Sequence, residues 1–168
     1  CAGNGGKTCH IIDKTIEKNP LIICFDSRRK TIEHLQTRIK KWTGHKVVTE
    51  LAKPREIEKY ENMADILYLD VPCTGSGTLK RQSDIKYRIS GKVLNERVET
   101  QKEIFKNFNP SLKSGGTLIY TTCSLFKSEN ENQVEFIKQN GYELLESFKL
   151  EPKDYEGDGF FMAKFRKL

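Results

Sequence analysis

The chain has no C-x-x-C pair, only three histidines (His10, His34, His45) at no common ligand spacing, and a single tryptophan. Those absences argue against a structural zinc site. Its five cysteines, at 1, 9, 24, 73 and 123, are odd in number and widely spread, which is not the pattern of a secreted disulfide framework. No apolar run approaches the roughly 20 residues that span a bilayer. Nor does any stretch join a basic start to an apolar run and a small-residue cleavage site. The expectation is a soluble, cytoplasmic protein with reduced thiols, no membrane partner and no metal.

What is present points first to a polyanion. Lys and Arg number 29 against 23 Asp and Glu, giving a net charge of +6 and a pI near 9.0 over 168 residues. That length suits one domain with a single core, here taken as residues 1–168. The chain opens on CAGNGGKT with no strand before it, so the domain is expected to be truncated at its N-terminus.

Short β-rich runs alternate with helix-like segments, the signature of an α/β protein whose parallel sheet is covered by helices. LIICFD (21–26), KVVTEL (46–51) and DILYLDV (65–71) read as strands. Between the first two, Ile32, Leu35, Ile39 and Trp42 make the stripe of an amphipathic helix over 27–43. Leu94, Val98, Phe105, Phe108 and Leu112 share a face of a helix over 93–112, whose regular part Pro110 cuts short. SGG (114–116) reads as a turn into the strand TLIYTTCS, and Ser128 with Glu131 has capping-box spacing for a helix that Gly141 ends. YELLESFKL and GFFMAKFRKL read as two closing strands.

In such sheets ligands sit beyond the carboxyl ends of the strands. Asp26, Asp70, Cys73 and Cys123 all fall at such ends. GNGGKT lacks the first glycine of a P-loop and the third glycine of a dinucleotide fingerprint. What remains is a glycine-rich turn opening a helix, followed 23 residues after Gly3 by an acid placed to accept hydrogen bonds from a ribose. A nucleoside-containing cofactor is thereby favoured, the plainer alternative being a helix-entry turn with Asp26 capping the following helix.

Pro72, Gly75 and Gly77 would hold Cys73 stiffly at a strand-to-loop corner. Cys123 precedes a polar helix start, where the positive end of a dipole would favour its thiolate. A small buried thiol is the ordinary fate of a cysteine, and Cys1, Cys9 and Cys24 are assigned to it. Lys80, Arg81, Lys86, Arg88 and Lys92, with Tyr87 among them and Asp84 the single acid, could follow a phosphate backbone or form a solvated charged loop.

Taken in order, CAGNGGKT, DVPCTGSGTLKR, GGTLIYTTCSLFKSENENQV and DGFFMAKFRK resemble the motif series of the Sun/Nop family of RNA cytosine-5 methyltransferases across nearly the whole chain. The resemblance implies a Rossmann-like class I methyltransferase fold: a mostly parallel seven-stranded sheet with helices on both faces, an antiparallel last strand, and here no first strand. It implies S-adenosyl-L-methionine as cofactor and RNA as partner, ribosomal RNA being favoured and transfer RNA the alternative.

By the same resemblance Cys123 is the nucleophile that adds to carbon 6 of cytosine, and Cys73 assists product release. Asp70 would bind the N3/N4 edge of the base, oriented with the help of Lys7. The turn Ala2, Gly3, Asn4, Gly5 and Gly6 would cradle the methionine part of the cofactor and Asp26 its ribose, with Lys7, Asp70 and Pro72 completing the cofactor set. Lys80 and Arg81 match the family's basic pair, and Lys86 and Arg88 extend it toward RNA. Gly3-Asn4 stands where the commonest family form has Ala-Pro. Residues 45–64 contain no Asp for the adenine amino group, leaving Glu50 as candidate. Two rival readings are a non-catalytic RNA- or nucleotide-binding module of the same fold and a DNA cytosine methyltransferase. The second normally carries its nucleophile in the P-C element and needs no T-C-S partner.

Overall fold

The computed structural model describes residues 1–15, 17–41, 44–153 and 156–168. The chain divides into two compact units, Cys1–Lys59 and Tyr60–Leu168. Among the described residues no helix is long and apolar enough to cross a membrane, and no group of three or more His, Cys, Asp or Glu could hold a metal ion.

In the first unit α1 (Gly6–Lys14) precedes β1 (Ile22–Asp26), and α2 (Arg29–Ile39) leads to β2 (Val47–Leu51) and the short α3 (Pro54–Glu58). β1 and β2 pair in parallel, Ile22 opposite Val47 and Asp26 opposite Leu51. A parallel pair needs a crossover, and α2 supplies it. The helix buries Thr31, Ile32 and Leu35, one turn apart. It ends at Ile39, with Lys40 as its C-cap; Trp42 and Thr43, which the expected span 27–43 includes, lie outside the described residues. Leu35 is fully buried and packs on the glycine turn: a Cβ on Gly5 would stand 2.4 Å from its Cδ1, and Gly5 has φ +82. Glycine is therefore required there on two counts.

The second unit holds a four-stranded sheet in the order β3-β4-β6-β5, built from β3 (Ala64–Asp70), β4 (Leu112–Thr122), β5 (Tyr142–Leu150) and β6 (Phe160–Lys167). β3 and β4 are parallel, whereas β6 runs antiparallel to both β4 and β5. The last strand of the chain thus lies inside the sheet, and β5 forms its edge. A one-turn α4 (Ile85–Arg88) and the long α5 (Gly91–Phe108) make the crossover from β3 to β4. The Ser90 hydroxyl caps α5 by accepting from Val93 N. As Pro110 foretells, α5 stops at Phe108, and Asn109–Ser111 forms a single 3-10 turn; Leu112 belongs to the next strand. α6 (Glu131–Gln139) connects β4 to β5. Phe105, Leu112, Leu118, Tyr120, Ile137, Ala163 and Phe165 are at most 1% exposed and form the core. Within it Tyr142 meets Phe105 and Phe165 edge to face, at 5.5 and 6.4 Å between ring centres.

Three local expectations are corrected. Ser114 to Gly116 is not a turn before the strand: β4 already begins at Leu112 and carries these residues as an irregularity, Ala64 pairing with Leu112 and Ile66 with Thr117. Gly115, at φ +75, absorbs the distortion. The Ser128 to Glu131 capping box does not form. Lys127–Glu129 is a 3-10 turn, and Asn130 stands at the N-cap of α6 without a side-chain cap bond. Cys1 is exposed rather than buried, although Cys9 and Cys24 are buried.

Candidate functional site

In the first unit the chain from Cys1 to Gly5 curls against the end of β1. Ala2 N donates to Phe25 O at 2.7 Å, and Gly3, at φ +55, donates its N–H to Asp26 Oδ2 at 3.0 Å. The Arg28 N–H donates to the other oxygen, Oδ1, also at 3.0 Å. Burial of Asp26, 4% exposed, would by itself raise its pKa. The two amide bonds, with the nearby Arg28 guanidinium, outweigh that and hold the carboxyl below its usual range. Asp26 is therefore a carboxylate pre-oriented by backbone, with Arg28 Nε also donating to Oδ1 at 3.4 Å and a lone pair remaining on Oδ2. Apart from the adjoining backbone, no atom of the described residues lies within 4 Å of where a Cβ on Gly3 or Gly6 would be, so the turn offers backbone that a ligand can approach. An open, glycine-lined turn beside an ionised acid fits the methionine and ribose parts of S-adenosyl-L-methionine. Asn4 and Lys7 are exposed, Asn4 O accepting from Arg38 Nη1 at 3.1 Å; Lys7 is the second residue of α1.

In the second unit the two cysteine loops meet because their strands are parallel neighbours. Asp70 and Thr121 are paired across β3 and β4, so both chains leave the sheet side by side at their carboxyl ends. Thr121 Oγ1 donates to Asp70 Oδ1 at 3.1 Å. The loops that follow bring Cys73 Sγ and Cys123 Sγ, fifty positions apart in sequence, to 3.3 Å. Both residues are half-buried. Gly77 N donates to Cys123 O at 2.9 Å, stitching the loops together, and Gly75 takes φ +75 to make the bend.

The Cys73 thiol is pushed far up from its ordinary pKa, first by its hydrogen bond to the Cys123 sulfur, then by burial, then by negative charge on Cys123. Cys73 therefore keeps its proton, and either sulfur can be the donor in the 3.3 Å contact. The helix-dipole argument for Cys123 fails: the first full helix after it begins only at Glu131. Its neighbour is a thiol.

Sequence reasoning missed a polar network beneath the two thiols. Glu129 and Gln101 are both wholly buried. One Glu129 oxygen accepts from Thr74 N at 2.9 Å and Gln101 Nε2 at 3.0 Å, the other from Thr74 Oγ1 at 2.6 Å and Ser124 Oγ at 2.5 Å. The available signal was the acid of the SENEN run, which begins after the three residues Leu125 to Lys127 that follow T-C-S and reads as a solvated helix start.

The basic residues are mostly engaged within the unit. Arg81 Nη2 and Nε donate to Asp158 Oδ2 at 2.6 and 3.2 Å, and Lys80 Nζ to Pro152 O at 2.9 Å. Both side chains border an open depression that also includes Glu156, Gly157 and Asp158. Arg88 pairs with Asp84 at 2.6 Å, and Lys86 sits 4.9 Å over the ring of Tyr87, which is 82% exposed.

Residues 1–166 match the family model described as 16S rRNA methyltransferase RsmB/F. Ribosomal RNA small subunit methyltransferase B of Escherichia coli O7:K1 is 34% identical over 178 residues, an alignment that covers 99% of this chain and 41% of that protein. The crystal structure of PH0851 superposes with a TM-score of 0.90 at 29% identity, over 99% of this chain and 41% of its own. NSun6 from Pyrococcus horikoshii, solved with SFG, gives 0.83 at 26% identity, over 99% and 46%. The chain thus has the α/β class I methyltransferase fold and spans about two fifths of the curated relatives it matches.

Proposed function

We propose, from the premise that this chain belongs to the RsmB/F (Sun/Nop) family of RNA methyltransferases, that it is the catalytic part of an enzyme methylating carbon 5 of a cytosine in ribosomal RNA in the cytoplasm. Its cofactor is S-adenosyl-L-methionine, which when bound supplies a methyl group on a sulfonium. Gly3 to Gly6 hold the methionine part of it and Asp26 the ribose hydroxyls, with Lys7, Asp70 and Pro72 completing that set.

Carbon 5 of cytosine is a poor nucleophile, and covalent catalysis remedies this. The Cys123 thiolate adds to carbon 6, its electron pair forming the S–C bond while the ring electrons move toward carbon 5, which takes the methyl. Asp70, held by Thr121, binds the N3/N4 edge, where a proton passed from its carboxyl to N3 neutralises the negative charge that the thiolate brings onto the ring. The carbon 5 proton then passes to water, its bonding pair re-forms the ring double bond, and the Cys123 sulfur leaves with the electron pair of the S–C bond. Cys73, which carries a proton against the departing sulfur, assists that last step. The base must be flipped or single-stranded to expose carbon 6, and Lys80, Arg81, Lys86 and Arg88 supply phosphate contacts.

The observation that carries this reading is the 3.3 Å approach of the two sulfurs at the ends of adjacent parallel strands. A small buried thiol needs no such partner. In the full-length enzyme with small-subunit RNA and cofactor, Cys73→Ala should accumulate a covalent protein–RNA adduct, and Cys123→Ala should form none. The reverse pattern exchanges the two roles. Absence of adduct and of methylcytosine from all three proteins, wild type included, rejects the reading in favour of a binding module; activity on transfer RNA alone changes the substrate.

A further inference from the structure

We infer that Glu129 is a positioning residue that holds Cys73 and Cys123 in register with each other, an inference that builds on the two-thiol reading above. Its carboxylate reaches the residue after each cysteine: the backbone and hydroxyl of Thr74 on one side, the hydroxyl of Ser124 on the other. The residues before the cysteines are held by its neighbours. Gln101 Nε2, itself bonded to Glu129, also donates to Pro72 O at 3.0 Å. Asn130 Oδ1 accepts from Thr122 Oγ1 at 2.6 Å, and Asn130 Nδ2 donates to Ser124 O at 2.8 Å. Tyr120 completes the frame, its hydroxyl donating to Glu129 O at 2.8 Å. Each thiol is therefore fixed on both flanks; Glu129 bonds to both loops, and beside it Ser124 Oγ meets Thr74 Oγ1 at 3.4 Å and Ser76 Oγ at 3.2 Å.

Chemistry explains why an acid stands here. All four groups around the carboxylate can donate, two of them, Thr74 N and Gln101 Nε2, only donate, and a carboxylate has four acceptor positions. A buried charge is tolerated only when so paired. Its negative charge also adds, as a smaller contribution, to the forces that keep Cys73 protonated. Glutamine fits the same volume and can keep its oxygen toward Thr74 N and Gln101 while its amide turns to the two hydroxyls. Glu129→Gln is therefore expected to fold but to grip the loops less firmly.

The test reads sulfur geometry without relying on methyl transfer. Oxidised glutathione converts the Cys73 and Cys123 thiols to one disulfide and is itself reduced to two molecules of glutathione. Peptide mapping of the full-length protein follows that bond with time. In Glu129→Gln it should form about tenfold or more slowly than in wild type, because small displacements of reacting atoms cost large factors in rate. Thr74→Val, which removes one hydroxyl from the same carboxylate, should slow it by a smaller factor and guards against a Glu129 variant that does not fold. With substrate RNA, Glu129→Gln should also lower kcat at nearly unchanged KM and raise the trapped adduct toward the level of Cys73→Ala. Wild-type rates of disulfide closure in both folded variants overturn the inference. Slowed closure in proteins that never methylate cytosine would leave the positioning role standing and remove the enzymatic reading instead.

Discussion

The Gly77 amide donates to the carbonyl of Cys123 at 2.9 Å while the Gly77 carbonyl accepts from Gly159 N at 2.7 Å. Three chain segments of the second unit thus meet at one residue: the loop after Cys73, the end of β4 and the start of β6. The contact is too close for any side chain, since a Cβ on Gly77 would lie 2.6 to 2.8 Å from the oxygen, Cα and carbonyl carbon of Gly159.

Gly77→Ala should therefore force the loop away from Cys123 and destabilise the protein by about 1–3 kcal/mol, the usual cost of overpacking against backbone that cannot yield. Gly91→Ala is the control. Gly91 is the first residue of α5, with nothing within 4 Å of its missing Cβ, and its substitution should be neutral or slightly stabilising. Urea unfolding of the full-length protein measures both, and equal midpoints would contradict the account of Gly77.

Asp26 yields a prediction with a defined pH sign. Its folded pKa is depressed below the unfolded value of about 3.9. The stability it contributes is thus present above that value and is lost as pH falls through the folded pKa. Asp26→Asn puts an amide donor against either Gly3 N–H or Arg28 N–H, at a cost of about 1–3 kcal/mol for the group left unsatisfied. Acid unfolding of the variant should accordingly be less steep below about pH 4. Calorimetric affinity for S-adenosyl-L-methionine should fall by about tenfold, the equivalent of one lost charged hydrogen bond. An unchanged affinity would remove Asp26 from the ribose site.

Much of this arrangement was legible in the residues, and the failures share a cause. Strand positions followed from apolar runs bounded by Asp, Pro and Gly, and Pro110 marked the end of α5. The thiols could be brought together on paper because parallel neighbours end at the same edge. The Ser128 capping box failed because Glu129 turns inward, and spacing alone cannot tell a solvated acid from one that three other segments require. Gln101 is hidden for the same reason: it is a polar residue on the face of α5 that Phe105 and Phe108 mark as buried. Gly115 punctuates a strand irregularity rather than a turn, and local sequence writes both with glycine. The partners of Lys80 and Arg81 lie more than seventy positions downstream, beyond the reach of any local pattern.

That last pairing carries a prediction about RNA. Arg81 is tied to Asp158 in the free protein, yet the pair is exposed, at 63% and 34%, and such pairs contribute little to stability. Arg81→Ala should therefore leave the unfolding midpoint nearly unchanged. If the guanidinium transfers to a phosphate when RNA binds, the same substitution should lower the slope of log affinity against log salt by about one. Asp158→Ala should act in the opposite direction. It frees Arg81 from a competing carboxylate and removes a negative charge from the depression, so RNA should bind more tightly at low salt and its affinity should fall more steeply as salt rises. Filter binding of small-subunit RNA to the full-length protein over a salt series measures both slopes. Identical slopes in wild type, Arg81→Ala and Asp158→Ala would mean that Arg81 serves only to hold the loop before β6, and the RNA path would have to be sought along Lys86 and the exposed ring of Tyr87.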